Sequence, residues 1–197
     1  MSYRVDLDAL IKSNNGLILT KDVSNAGIPR EYISQLVEEG ILIKVDRSSY
    51  ITKDGYDDKL YRIQAKHPHM VYSHETALVL NGIIDDELQV LSVTVAAGYH
   101  SKSLVDSGIV LHSIKKEYLE IGTSSLKTPY NRNITVYNME RTICDIIRNR
   151  NHMDNNIFSK SLKNYAYRTD KNIERLQEYA SYFNITKLIN LYFAVLF

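Results

Sequence analysis

The sequence predicts an α+β chain: short helices closed by a β-hairpin over residues 1–58, then an α+β domain over residues 59–197 with a small sheet and a helical C-terminus. Glycine and proline interrupt the first 58 residues at helix-length intervals. A polar, turn-rich break, "TKDGYDD", places the boundary near residues 53–60. Beyond it, β-rich runs such as "LQVLSVTVA" give way after Asn138 to continuous helical periodicity.

In the first part, "VDLDALIK" sets Val5, Leu7, Leu10 and Ile11 on a helical stripe that "NNG" ends. "LIL" reads as a short strand. Thr20 is the expected N-cap of "KDVSNA", with Val23 and Ala26 facing inward. Gly27 supplies a turn, and Pro29 suits the first position of the next helix because a proline lacks the N–H that would go unpaired there. That helix runs to about Glu39 with Tyr32, Ile33, Leu36 and Val37 on one face. Gly40 ends it, and "ILIKV" and "SYIT" pair around "DRSS".

Helix, strand, helix, glycine turn, helix, hairpin is the order of a winged helix-turn-helix. In such a module the last helix offers its exposed face to a DNA groove. Arg30 stands near that helix's N-terminus and Ser34 and Gln35 a turn later, the places from which bases are read. Thr20 and Lys21 at a helix start, and Arg47 at the wing tip, are expected on phosphate. Winged helices also serve as protein-interaction modules. Residues 1–58 hold 7 basic and 10 acidic residues, with Glu31, Glu38 and Glu39 close to the expected interface.

In the second part, "KLYRIQAK" is a helix stopped at "HPH", "MVYS" a strand, and "HETALVLNG" a helix with Ser73 as its cap. "GIVLHSI" and "NITVY" are strands; Asn138 caps "MERTICDIIRNR". Helices follow in "NIFSKSLKNYAYR", "KNIERLQEYASYF" and "ITKLINLYFAVLF".

Bulk composition excludes several classes. The 197 residues carry a net charge of only +1, so nucleic-acid contact must rest on local patches. The single cysteine, Cys144, leaves no disulfide framework or Cys-rich zinc site and reads as a buried helix residue. "MSYRVDLDAL" lacks the apolar core of a signal peptide, and "LINLYFAVLF" is too short to span a bilayer, so a cytoplasmic protein is expected, without a membrane partner.

Neither a catalytic residue, a metal site nor a cofactor is expected. "HETAL" lacks the second histidine of a zincin, since Leu78 occupies its place. His67, His69 and His74 read as surface or capping residues. Glu140, Arg141 and Asp145 read as a structural ion network at a helix start. From Arg141 to Arg175 there are 8 basic and 4 acidic residues. Arg148, Lys160, Lys163, Arg168 and Lys171, interleaved with Tyr165 and Tyr167, form a candidate basic face for a nucleic acid or an acidic protein, or simply a solvated surface.

The order of these motifs resembles the AbiEi-type antitoxin family of type IV abortive-infection systems. "LTKDVSNAGIPREYISQLVEEGILIKVDRSSYI", "VYSHETALVLNGIIDD" and "ITVYNMERTICDII" carry the resemblance across residues 17–147. The wing departs from the family pattern: Asp46, Ser48 and Ser49 replace the frequent basic residue and glycine, leaving Lys44 and Arg47 as its cations. The resemblance implies a non-enzymatic, autoregulating transcriptional repressor in phage defence. Its N-terminal domain would bind inverted repeats in double-stranded promoter DNA. Its C-terminal domain would neutralise a nucleotidyltransferase-like toxin without a stable complex. Two other classes stay open: a plain winged-helix regulator whose second domain senses a ligand or dimerises, and an enzyme acting on nucleic acid or nucleotides through Glu75, Glu140 and Asp145.

Overall fold

The structure is a computed structural model and describes residues 3–196. Met1, Ser2 and Phe197, at the ends of the first and last segments read above, lie outside the described residues. The chain is α+β, with eleven α-helices and two sheets among the described residues. It divides into two compact units. One runs to Lys66 and takes in Lys127–Arg132; the other comprises His67–Leu126 and residues 133 onward.

The first unit is a winged helix. Helix α1 (Tyr3–Ser13) buries Leu7 and Ile11, one turn apart, whereas Val5 is 65% exposed because two residues of helix rotate it well away from Leu7. Strand β1 (Leu17–Leu19) is wholly buried. Helices α2 (Thr20–Asn25) and α3 (Glu31–Glu38) add Val23, Ile33 and Leu36 to the same core. Gly27 makes the turn between them at φ +70°, a conformation that costs an L side chain about 1 kcal/mol or more. Strands β2 (Leu42–Asp46) and β3 (Ser49–Thr52) form the wing, and β3 lies between β1 and β2 in an antiparallel sheet, with Ile51 opposite both Leu17 and Ile43.

Local expectations shift here. Helix α2 opens at Thr20 and its N-cap is Leu19, and the Thr20 N–H donates to the Ser48 carbonyl at 2.8 Å. Ala26 is exposed at the end of α2. Regular α3 begins at Glu31, two residues after Pro29, whose carbonyl accepts from the Tyr32 N–H at 3.2 Å in a lead-in turn. Helix α4 (Lys59–Lys66), which follows the turn-rich break, groups with the first unit. Polar contacts tie it there. Arg62 pairs with Asp46 and Asp57, Lys66 pairs with Asp46, and Ala65 accepts from Lys21 Nζ at 2.7 Å. Thr128 and Arg132 join through Asp58, at 2.6 and 3.3 Å.

The second unit holds a five-stranded sheet of order β6-β5-β4-β8-β7: β4 (Val71–Tyr72), β5 (Ser92–Ala96), β6 (Val110–Ile114), β7 (Thr123–Lys127) and β8 (Asn133–Tyr137). Strand β4 runs antiparallel to β5 and parallel to β8, and β5 runs parallel to β6. Helix α5 (His74–Leu80) packs on α8 (Met139–Arg148), which also meets α9 (Asn155–Tyr167), α10 (Ile173–Tyr182) and α11 (Thr186–Leu196). Leu78, Ile143, Ile146, Leu162, Leu176 and Ala180 fill the core between them. Short helices α6 (Lys102–Asp106) and α7 (Lys116–Leu119) and the edge strand β7 add to the sequence-derived set. In β7, "TSSLK", Leu126 is the single apolar residue, so no apolar pattern marks the strand.

Asn138 caps α8 as expected, its side chain accepting from the Arg141 N–H at 3.0 Å. Ser73 occupies the N-cap position of α5, but its hydroxyl is engaged with Thr94 and His74 instead. His74, read as a surface or capping residue, is 6% exposed and has φ +49°.

Candidate nucleic-acid interface

On α3 the buried Ile33 and Leu36 fix the outward face. Arg30, Ser34 and Gln35 are exposed there, together with Glu31 and Glu38. Arg30 Nε donates to Ser24 Oγ at 3.3 Å, which holds the side chain at the α2–α3 turn. On the wing, Lys44 and Arg47 are exposed. The remaining two candidates differ. Thr20 Oγ1 is buried without a protein partner, and Lys21 Nζ is engaged on the Ala65 carbonyl in the last turn of α4. A cation at a helix C-terminus is a stabilising arrangement in its own right.

The acidic residues of the unit are largely answered from within it. Glu39 is gripped by Arg4 through two hydrogen bonds of 2.9 and 2.6 Å, and this pairing lowers its pKa. Asp46, beside the wing turn, accepts from the Ser48 N–H at 2.9 Å and is closed on by Arg62 and Lys66. Burial raises the Asp46 pKa, but hydrogen bonds from Lys66 and the Ser48 N–H outweigh it and hold the group well below the usual carboxylate range. Adding α4 and Lys127–Arg132 gives the unit 12 basic and 10 acidic residues, which reverses the acidic balance of residues 1–58. The cations of "KLYRIQAK", spaced three and four apart, were the signal for this neutralisation.

In the second unit, Glu140, Arg141 and Asp145 are all buried. Arg141 Nε donates to Asp145 at 2.9 Å, and Nη1 donates to the carbonyls of Tyr118, at 2.9 Å, and Ile121. Its guanidinium also lies 3.9 Å from the ring centre of Tyr137 and 4.5 Å from that of Phe183. Gly122 makes room for it, since a Cβ there would come 2.5 Å from Arg141 Cβ. Asp145 takes a second guanidinium from Arg148 at 3.0 Å. Glu140 accepts from the Asn172 N–H at 3.0 Å and Tyr165 Oη at 3.3 Å. Glu75 accepts from Ser92 Oγ at 2.9 Å. Glu75 borders an open cleft and Asp145 a smaller neighbouring cavity, while Glu140 lines neither, so the three carboxylates do not converge. Cys144 is buried, and burial pushes its thiol up to about 12.

The candidate basic residues here have local partners. Lys160 bonds Asp85 and Asp86, Arg168 bonds Asp170 and the Gly82 carbonyl, and Lys171 bonds the Arg168 carbonyl. Lys163 is exposed. Among the described residues, no group of three His, Cys, Asp or Glu side chains is placed to hold a metal. No helix among them is long and apolar enough to cross a membrane.

The crystal structure of the RV2827C protein from Mycobacterium tuberculosis shares this fold, with a TM-score of 0.61 and 13% identity over 90% of this chain and 70% of that one. No curated protein matches the sequence. Residues 5–52, from α1 to the end of the wing, match the family described as "Transcriptional regulator, AbiEi antitoxin". The winged helix of this chain is accordingly similar to the AbiEi-antitoxin transcriptional-regulator family over residues 5–52.

Proposed function

We propose that the first unit binds double-stranded DNA at inverted repeats in the promoter of its own operon and represses transcription. The exposed face of α3 beside a wing whose carboxylate is neutralised carries this reading. Arg30, Ser34 and Gln35 meet base edges, and Lys44 and Arg47 meet phosphates. The second unit neutralises a nucleotidyltransferase-like toxin without forming a stable complex, in abortive infection and phage defence. The protein acts in the cytoplasm and is not an enzyme. Support for this part comes from the AbiEi match at residues 5–52. Gel shifts of the full chain on its upstream DNA, against scrambled DNA at matched salt, test the first part. Co-expression of the chain with the adjacent gene tests the second.

A plain regulator with a ligand-sensing second domain is the other reading. A polar cavity in the second unit, bordered by α5, β6 and α8, favours it.

A further inference from the structure

The second unit has a polar pocket of about 170 Å³, open to solvent and bordered by His74, Thr94, His112, Arg141, Asp145 and Arg148, among others. Two buried nitrogens at this pocket have no hydrogen-bond partner among the described residues, Arg141 Nη2 and His112 Nε2. Arg141 is 0% exposed, and its other two guanidinium nitrogens are paired. In a guanidinium, Nη2 shares an edge with the Nε–H. That edge faces Asp145, so Nη2 is directed to the side where Asp145 and Arg148 border the cavity. A buried polar group left without a partner costs about 1–3 kcal/mol, more where it is charged as Arg141 is, so two at one small pocket call for a ligand.

The charge of the cavity says which kind. Asp145 is already shared between Arg141 at 2.9 Å and Arg148 at 3.0 Å, so two guanidinium groups share one carboxylate, an excess that Glu75, near the histidines, offsets only from the adjoining cleft. The rings of His74 and His112 are stacked with centres 3.5 Å apart and planes 11° apart, a packing that excludes two imidazolium ions. Burial lowers the pKa of both histidines, His74 to about 4. A neutral imidazole protonated on Nε2 still donates one hydrogen bond. On the other ring, Thr94 Oγ1 donates to Ser73 Oγ at 2.8 Å, which frees the Ser73 proton for His74 Nδ1 at 3.0 Å. The pocket is open to solvent on one side and has room for a tetrahedral oxyanion.

We propose that this cavity binds a phosphate-type oxyanion, with Arg141 Nη2, Arg148 and His112 Nε2 as donors. The site stands independently of DNA binding by the first unit. His112 and Asn149 also line the adjoining cleft of about 640 Å³, with Val79, Ile84 and Val110 among its apolar walls. The organic part of a phosphate monoester leaves the cavity by that route. Glu75, Asp86 and Glu87 border the same cleft and oppose a second anionic group, so a monophosphate fits better than a polyphosphate.

The test uses the full chain at constant ionic strength, titrated with inorganic phosphate in one arm and adenosine monophosphate in the other, with acetate as control. Thermal unfolding and the side-chain NMR signals of His112 are the readouts. Phosphate should raise the melting temperature and move the His112 signal, and acetate should do neither. Tighter binding of the nucleotide identifies an ester as ligand; equal binding identifies free phosphate. His112→Phe, which keeps the ring stack, and Arg148→Gln should each weaken binding by about tenfold or more. An unmoved His112 signal with both phosphates overturns the proposal, and so does full-strength binding by a folded double variant. Should a variant fail to fold, the wild-type titration alone decides.

Discussion

Arg62 of α4 closes on Asp46 beside the wing turn and, with two hydrogen bonds of 2.7 and 2.8 Å, on Asp57. One guanidinium thus masks two carboxylates on the unit expected to approach DNA. The Arg62 side chain is only 12% exposed, so the pairs are partly shielded from solvent. Arg62→Ala should destabilise the chain by about 1–2 kcal/mol and weaken DNA binding by unmasking negative charge. Urea unfolding and gel shifts measure the two effects. Adding Asp46→Asn should restore part of the DNA affinity; if it restores none, charge at the wing is not the cause.

Arg30 and the wing cations should separate by specificity. Arg30→Ala is expected to cost about 1–3 kcal/mol on the operator and little on unrelated DNA, as for a residue that reads a base. The pair Lys44→Ala and Arg47→Ala should weaken binding evenly across sequences and reduce the salt slope by about 2. Titrations at several salt concentrations distinguish the patterns. An operator affinity unchanged by Arg30→Ala removes that residue from the interface.

Lys160 and Asn164 of α9 and Arg168 at its C-cap stand four residues apart and line up along the helix. Lys160 binds Asp85 and Asp86, Asn164 donates to the Ile83 carbonyl at 2.8 Å, and Arg168 donates to the Gly82 carbonyl at 2.9 Å. The stripe clips down the segment that leaves α5. Replacing Lys160 and Arg168 by Ala should speed amide exchange near residues 82–86. Lys163→Ala should leave exchange there unchanged. If toxin neutralisation falls with Lys163→Ala as well, the face has a binding role beyond this clip.

Much of the first unit was legible because its breaks are chemical. Gly27 and Gly40 adopt positive φ where the turns were read, and "LIL" and "SYIT" are strands with the bounds read from their apolar runs. In the second unit, "NITVY" and "KLYRIQAK" likewise keep the bounds the sequence marks. What stayed illegible depends on distant pairing. Asp58 reads as a linker carboxylate until Thr128 and Arg132 reach it from the other side of the sequence. His74 reads as a polar helix start until His112 stacks on it. Arg141 with Asp145 was visible as a helix pair, but Arg141's complete burial was not, since the Tyr118 and Ile121 carbonyls that accept from it lie in a stretch without periodic pattern.

The buried histidine gives the stability a direction with pH. Burial is the main cause of the fall of the His74 pKa to about 4; Asp145 and Glu75 oppose it, and His112 and Arg148 add to it. Its folded value lies below its ordinary value of 6.5, so the unfolded chain binds the proton more readily. Stability from this group is therefore complete above about pH 6.5 and is lost progressively as pH falls toward 4, by on the order of 3 kcal/mol. His112, also lowered by burial, acts in the same direction. The urea midpoint should thus drop between pH 7 and pH 5. His74→Asn removes the titrating ring while tolerating the φ of +49°, and it should flatten that drop even if it lowers stability at pH 7. A midpoint that falls equally in wild type and His74→Asn would place the pH sensitivity elsewhere in the chain.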